Sequence, residues 1–326
     1  MTGMKRTTEK NLMLFSGRAH PELAVEIARF LDVDLVPTTT RDFANGETYV
    51  RFHESVRGSD AFAIQSHSEP INNWIMEQLI MVDALKRASA KRITVVTPFY
   101  GYARQDKKHR GREPVTARLM ADLFKTAGAD RLIAVDLHAG QIQGFFDGPV
   151  DHLMALPVLS DYVEKSYDVA NMTVVSPDSG RVRVAEQWTD RLGGCPLAFI
   201  HKTRDINVPN QVVANKVVGD VEGRTCVVVD DMIDTAGTVV KAAEALADAG
   251  AAEVVCAATH AVLSGPAVDR LKNSPIREII VTNTLPLPDH SRFDKLTELS
   301  IAPLIARAVR EVFEDGSVTS MFDGNA

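Results

Sequence analysis

The sequence predicts an α/β protein made of two tandem units, each a mostly parallel sheet flanked by helices. Three observations carry this. Short β-branched runs alternate with segments whose apolar residues recur at helical spacing along the whole chain, the pattern of consecutive βαβ units. One stretch, 227–238, passes from three valines through acidic residues into a small, hydroxyl-rich turn and then a helix. The stretch from Ala84 to Val96 also has a counterpart from Ala245 to Ala257, each a helix end running into a strand, which reads as two copies of one unit.

Strands are expected at 60–65, 92–97, 131–136, 172–176, 225–230, 253–258 and 278–282, where β-branched and apolar residues form short runs. Helical spacing covers 22–31, 74–88, 115–127, 182–192 and 238–249, and a last helical pattern runs from Ile301 to Phe313. A chain of 326 residues is long for one domain. A boundary near 155 fits Gly148-Pro149 and Pro157, so the domains expected are 1–155, 156–303 and a terminal segment 304–326.

Composition narrows the class. With 45% hydrophobic and 24% charged residues, this is ordinary globular material. No apolar run approaches the roughly 20 residues of a membrane span, and the polar start lacks a signal-peptide core, so a cytoplasmic location is expected. A net charge of -7 argues against a general nucleic-acid binder, which needs a basic face. Cys195, Cys226 and Cys256 form no CxxC pair, and the last two sit in apolar runs, as inert core thiols do.

Within 227–238, valines 227–229 read as a buried strand, followed by Asp230, Asp231 and Asp234, then Thr235-Ala236-Gly237-Thr238. Small residues let backbone N–H groups approach an anion at a helix N-terminus. Capping explains Asp234 or Thr235 but not two further acids. Those two would repel a phosphate unless they serve sugar hydroxyls or Mg²⁺. The loop is therefore expected to take a phosphorylated sugar.

Five other segments stand at element ends. Residues 98–114 follow a strand and hold five basic side chains between 104 and 112, with His109, a field suited to a polyphosphate on a mobile lid. Residues 41–47 contain Asn45-Gly46, by itself a hairpin signal. Residues 135–146 end a strand with His138, and 176–181 place Asp178 in a Pro-Asp-x-Gly turn. Lys202 and Arg204 stand two apart on a strand end and so share a side. No Walker A sequence is present, so any ATP is held without a P-loop.

Taken together, these segments resemble the class I ribose-phosphate pyrophosphokinases, whose fold is two tandem phosphoribosyltransferase-like domains. Asp230 to Thr238 is similar to the family's ribose 5-phosphate loop, and Tyr100-Gly101-Tyr102-Ala103-Arg104-Gln105-Asp106-Lys107 to its flexible catalytic loop. The resemblance runs from about Leu12 to Phe322, and the 176–181 and 200–205 variants look similar to actinobacterial members. It implies diphosphoryl transfer from ATP to ribose 5-phosphate, giving phosphoribosyl pyrophosphate and AMP. It implies that Phe43, Asn45, Gly46, Glu47, Arg104 and Gln105 bind ATP. Lys202 and Arg104 would be catalytic. Arg204, Asp230, Asp231, Asp234, Thr235, Ala236, Gly237 and Thr238 would bind ribose 5-phosphate, and His138 and Asp178 would hold Mg²⁺, two ions per site. It further implies a homohexamer, with phosphate and ADP as effectors. Three departures stand out: Asn45 for the usual Asp, Thr203 for a common Arg, and Arg181 for the second Gly of the Pro-Asp-x-Gly-Gly pattern. A phosphoribosyltransferase or a non-catalytic regulatory homologue would share part of this signature, but the duplicated unit and Lys202 weigh against the first and the intact polar positions against the second.

Overall fold

The computed structural model describes residues 10–204 and 212–322, with the side chains of 202–204 and 212–215 outside the description. The chain divides into two compact units, Met1–Leu153 with Ala302–Ala326, and Met154–Ile301.

The first unit runs β1 (Leu12–Ser16), α1 (Pro21–Leu31), β2 (Thr38–Asp42), β3 (Thr48–Phe52), β4 (Asp60–Ile64), α2 (Ile71–Arg87), β5 (Arg92–Thr97), α3 (Thr116–Ala127), β6 (Arg131–Val135) and β7 (Val150–Leu153). Its main sheet has the order β1-β4-β5-β6-β7, with every pair parallel. Strand β4 is buried at all five positions, as a parallel strand covered on both faces must be. Strands β2 and β3 form a separate antiparallel hairpin.

The second unit runs α4 (Leu156–Ser166), β8 (Met172–Ser176), α5 (Val182–Arg191), β9 (Leu197–Arg204), β10 (Val212–Val218), β11 (Thr225–Ile233), α6 (Gly237–Asp248), β12 (Glu253–Ala261), α7 (Ala267–Lys272), β13 (Glu278–Thr282) and β14 (Leu296–Leu299). Its sheet order is β10-β9-β8-β11-β12-β13-β14, with β10 antiparallel at the edge. The final helix, α8 (Ala302–Phe313), packs on α1 in the first unit. It buries Ile305, Val309 and Val312, worth roughly 1.5–3 kcal/mol each.

The internal repeat has a direct topological counterpart. The series β1-β4-β5-β6-β7 in one unit matches β8-β11-β12-β13-β14 in the other, strand for strand and in the same spatial order. Each unit has its own apolar cluster, around Phe15, Phe124 and Met81 in the first and around Val228, Leu246 and Ile279 in the second. Cys226 and Cys256 lie inside the second core. Burial pushes the Cys226 thiol up to about 11 and raises Cys256 further, so neither is a thiolate near neutral pH.

Most expected elements agree with the structure to within a residue or two at each end, but α2 starts three residues early, at Ile71, and two strands overrun. Strands β11 and β12 each run three residues past their predicted ends, because they pair with each other as far as Ile233 and Ala261. Asp231 therefore lies on the strand with Asp230 rather than in the loop after it. No described helix is long and apolar enough to cross a membrane.

Candidate active site

In the second unit, the site begins where two neighbouring strands part. The ladder between β8 and β11 stops at Val175 and Val228, while β11 continues beside β12 for five more residues. The resulting crevice lies at the C-terminal ends of parallel strands, where open α/β sheets bind ligands. Asp230 and Asp231 stand on the β11 wall, and residues 177–181 come across from β8. Arg181 spans the gap: its Nη2 donates to Asp231 Oδ1 at 2.7 Å, and its Nε lies 3.5 Å from Asp230 Oδ1. The Asp231 N–H also donates to Asp230 Oδ1 at 2.9 Å. Burial, reinforced by the Asp231 carboxylate, pushes Asp230 well above the usual carboxylate range, and Arg181 opposes that shift.

Beyond the acids, Asp234 to Ala236 turn into α6. Ala236 is buried and has φ 60° and ψ 0°, a left-handed conformation unusual for an alanine. Neighbours take up the loop carbonyls: the Ser264 N–H donates to Asp234 O at 3.0 Å, and Arg270 Nη1 donates to Thr235 O at 2.9 Å. The opening N–H groups of α6, including those of Gly237 and Thr238, have no acceptor within the helix. An anion is the natural partner of such a turn. Asp178 is half-buried; its Oδ1 accepts from the Gly180 N–H at 2.9 Å. Lys202 and Arg204 fall two residues apart on β9, and their side chains lie outside the described residues.

In the first unit, the hairpin carries Phe43, Asn45, Gly46 and Glu47 at its tip. Gly46 takes φ 88°, the Phe43 N–H donates to Glu47 O, and the Glu47 N–H donates to Asn45 Oδ1 at 3.2 Å. Phe43 is 44% exposed, a high value for a large aromatic ring on a tight turn. The Arg41 guanidinium sits 5.0 Å from its centroid and 5.1 Å from that of Tyr49. Arg18 ties the hairpin to α2, donating from Nη2 to Asp42 Oδ1 (2.7 Å) and from Nε to the fully buried Glu77 (2.6 Å).

The segment after β5 is anchored at its start. Gly101 donates its N–H to His67 Nδ1 at 2.9 Å, and the Tyr100 hydroxyl donates to Ala117 O at 3.0 Å. His67 is buried, stacks on Phe124 and pairs through Nε2 with Gln78 Oε1. Gln105 accepts from the Thr116 hydroxyl at 2.5 Å, and Arg104 is exposed. Asp106 is buried and hydrogen-bonded to Gln141, which joins this segment to the one carrying His138. His138 is half-buried one residue past Leu137, whose N–H donates to His152 Nε2 at 2.9 Å.

Among the described residues, no three His, Cys, Asp or Glu side chains converge as a ready metal cage. Mg²⁺ is usually held by one or two protein groups plus water and substrate phosphate. Asp178 and the Asp230–Asp231 pair supply the hard oxygen donors it prefers. Sequence reasoning passed over Arg41, Tyr49, His152 and Arg270, and noted Arg181 only as a departure. Arg41 and Tyr49 are recognised through contacts within one hairpin, and Arg181, His152 and Arg270 through partners 15 to 50 positions away.

A family profile described as the N-terminal domain of ribose phosphate pyrophosphokinase matches residues 12–128, and one described as the phosphoribosyl synthetase-associated domain matches 201–323. The chain is 68% identical over 323 residues to a ribose-phosphate pyrophosphokinase from Streptomyces coelicolor, covering 99% of each. It is 66% identical over 317 residues to one from Mycobacterium leprae, covering 97% of each. The fold is similar, with a TM-score of 0.90 and 63% identity, to the crystal structure of phosphoribosylpyrophosphate synthetase from Mycobacterium smegmatis, covering 94% of this chain and 100% of that one.

Proposed function

The chain belongs to the ribose-phosphate pyrophosphokinase family, and we propose that it transfers the β,γ-diphosphoryl group of ATP to the anomeric hydroxyl of ribose 5-phosphate. The products are AMP and phosphoribosyl pyrophosphate, a precursor for nucleotide, histidine and tryptophan biosynthesis. The observation that carries this reading is identity of 68% extending over 99% of both chains.

Such a displacement asks little covalent work of the protein; alignment and charge neutralisation lower its barrier. The α6 N-terminus and the turn Asp234 to Thr238 take the 5-phosphate, and Arg204 contributes to ribose 5-phosphate binding. Asp230 and Asp231 accept hydrogen bonds from the ribose hydroxyls. Phe43 stacks on adenine, while Asn45, Gly46 and Glu47 give the base its polar partners and Arg104 and Gln105 hold the nucleotide from the loop after β5. Lys202 and Arg104 neutralise the charge that develops as AMP leaves. His138 and Asp178 would hold Mg²⁺, two ions per site, which supplies charge neutralisation and orients the phosphates when bound. Homohexamer assembly, phosphate and ADP as effectors and a cytoplasmic location complete the reading, with no nucleic-acid or membrane partner.

The test is chromatography of the products from ATP and ribose 5-phosphate with Mg²⁺ and phosphate. AMP and phosphoribosyl pyrophosphate in equal amounts are expected. ADP would mean single phosphoryl transfer and a wrong mechanism. Ribose 5-phosphate binding without turnover would point to a regulatory homologue.

A further inference from the structure

We infer that Arg181 is a positioning residue for the sugar phosphate: its guanidinium presets the Asp230–Asp231 pair for the ribose hydroxyls and offsets their charge toward the 5-phosphate. The inference rests on the ribose 5-phosphate reading of this crevice and adds to it a role for the residue that stands where the family's general Pro-Asp-x-Gly-Gly pattern has its second glycine.

Three observations support it. The first is reach. Arg181 stands at the start of α5, on the wall opposite the acids, and engages Oδ1 of both, at 2.7 Å and 3.5 Å. The second is burial. Its side chain is 17% exposed, against 15% for Asp230 and 8% for Asp231, so little water screens the three charges. The third is backbone conformation. Position 181 has φ -109° and ψ 7°, which any residue adopts; the arginine carries no glycine-type strain here.

Charge then decides what the contact is for. Two partly buried carboxylates next to a phosphate site repel the dianion they are meant to help bind. A fixed guanidinium in contact with both offsets part of that local negative charge. It also holds each carboxylate in one orientation before the sugar arrives, which lowers the ordering cost of binding. A glycine at 181 would leave both tasks to solvent or a metal ion.

The test is calorimetric titration of ribose 5-phosphate into the ATP-free enzyme, with steady-state kinetics, for wild type, Arg181→Gln and Arg181→Lys. Arg181→Gln should weaken ribose 5-phosphate binding and raise its KM at least about tenfold, the scale of one charge-assisted hydrogen bond. KM for ATP should stay within about twofold, and Arg181→Lys should recover part of the loss. Unchanged or tighter ribose 5-phosphate binding in Arg181→Gln would overturn the inference; tighter binding would make Arg181 a competitor of the sugar. Equal increases in both KM values with a lowered Tm would also overturn it, by reducing Arg181 to a structural role. Wild-type enzyme that makes no AMP would refute the assigned reaction. Wild type making AMP while Arg181→Gln is unaffected would refute only the role of Arg181.

Discussion

Ala236 shows how much a single residue can be asked to bear. It holds a left-handed conformation at φ 60° and is 4% exposed, at a cost of roughly 1–2 kcal/mol for a residue with a Cβ. Strain of this kind persists where the surroundings over-determine it, commonly at ligand clamps. A β-branched side chain tolerates the conformation far less, so Ala236→Val should destabilise the protein by at least about 2 kcal/mol and abolish ribose 5-phosphate binding. A thermal melt and a titration check this; an unchanged variant would show the left-handed turn to be dispensable. Phe43 bears a different load: in the proposed reading its exposed ring stacks on adenine. Base stacking on an aromatic is worth roughly 1–3 kcal/mol by alanine substitution, so Phe43→Ala should raise KM for ATP about tenfold with little change in the KM for ribose 5-phosphate. Lys202→Ala should lower kcat at least about a hundredfold, the usual loss of one oriented charge stabiliser. Near-normal kcat would remove Lys202 from the mechanism.

At the scale of elements, the hairpin packs Val50 and Phe52 on the core and is tied down by a polar network. Arg18 bridges Asp42 on β2 and Glu77 on α2, and Gln65 Nε2 donates to the same Glu77 at 2.9 Å. Glu77 is fully buried, and a buried charge stripped of its partner is strongly destabilising. Arg18 is one-third exposed, so solvent screens part of that cost. Arg18→Ala should therefore lose about 2–3 kcal/mol and loosen the hairpin, with KM for ATP rising. A chemical denaturation midpoint equal to wild type would contradict this. Which elements were legible in the sequence follows the same physics. Strands β5, β8 and β13 matched their expected bounds residue for residue, because a strand buried on both faces is written as an apolar run. Several of the elements missed were short, polar or at edges: β2 is Thr-Thr-Thr-Arg-Asp, largely exposed at its end, and β7 and β14 have four residues each. Periodicity carries little signal over such lengths. The 11-residue helix α4, by contrast, was missed despite its buried Leu159 and Val163. The true end of β11 was illegible for another reason. Asp and Met there are poor strand signals, and only pairing with β12 keeps the chain extended. The acids themselves were plain in the sequence; that an arginine 49 or 50 positions earlier would reach them was not.

For the whole molecule, two units of matched strand order have diverged in what their strand ends carry: basic and aromatic residues in the first, acids and a small turn in the second. The first unit also fixes the response to acid. Burial lowers both His67 and His152 to about 4. A histidine with its folded-state pKa below the unfolded 6.5 contributes stability that is fully present above 6.5 and is lost as pH falls toward 4, since only the unfolded chain takes up the proton. Each should contribute roughly 3 kcal/mol to that loss. Asp230, raised rather than lowered, acts in the opposite sense and blunts it. Denaturant titrations from pH 7 to pH 4.5 should show falling stability, with a slope about one proton smaller in His67→Gln. A flat profile would mean that the buried rings are charged or hydrated. The central claim, transfer of a diphosphoryl group as one piece, is tested most directly by following two labels on ATP. With ribose 5-phosphate, label at the γ-phosphorus should appear in phosphoribosyl pyrophosphate and label at the α-phosphorus in AMP, in equal amounts. Label at the α-phosphorus recovered in ADP, with the γ-label in a ribose bisphosphate, would contradict the account.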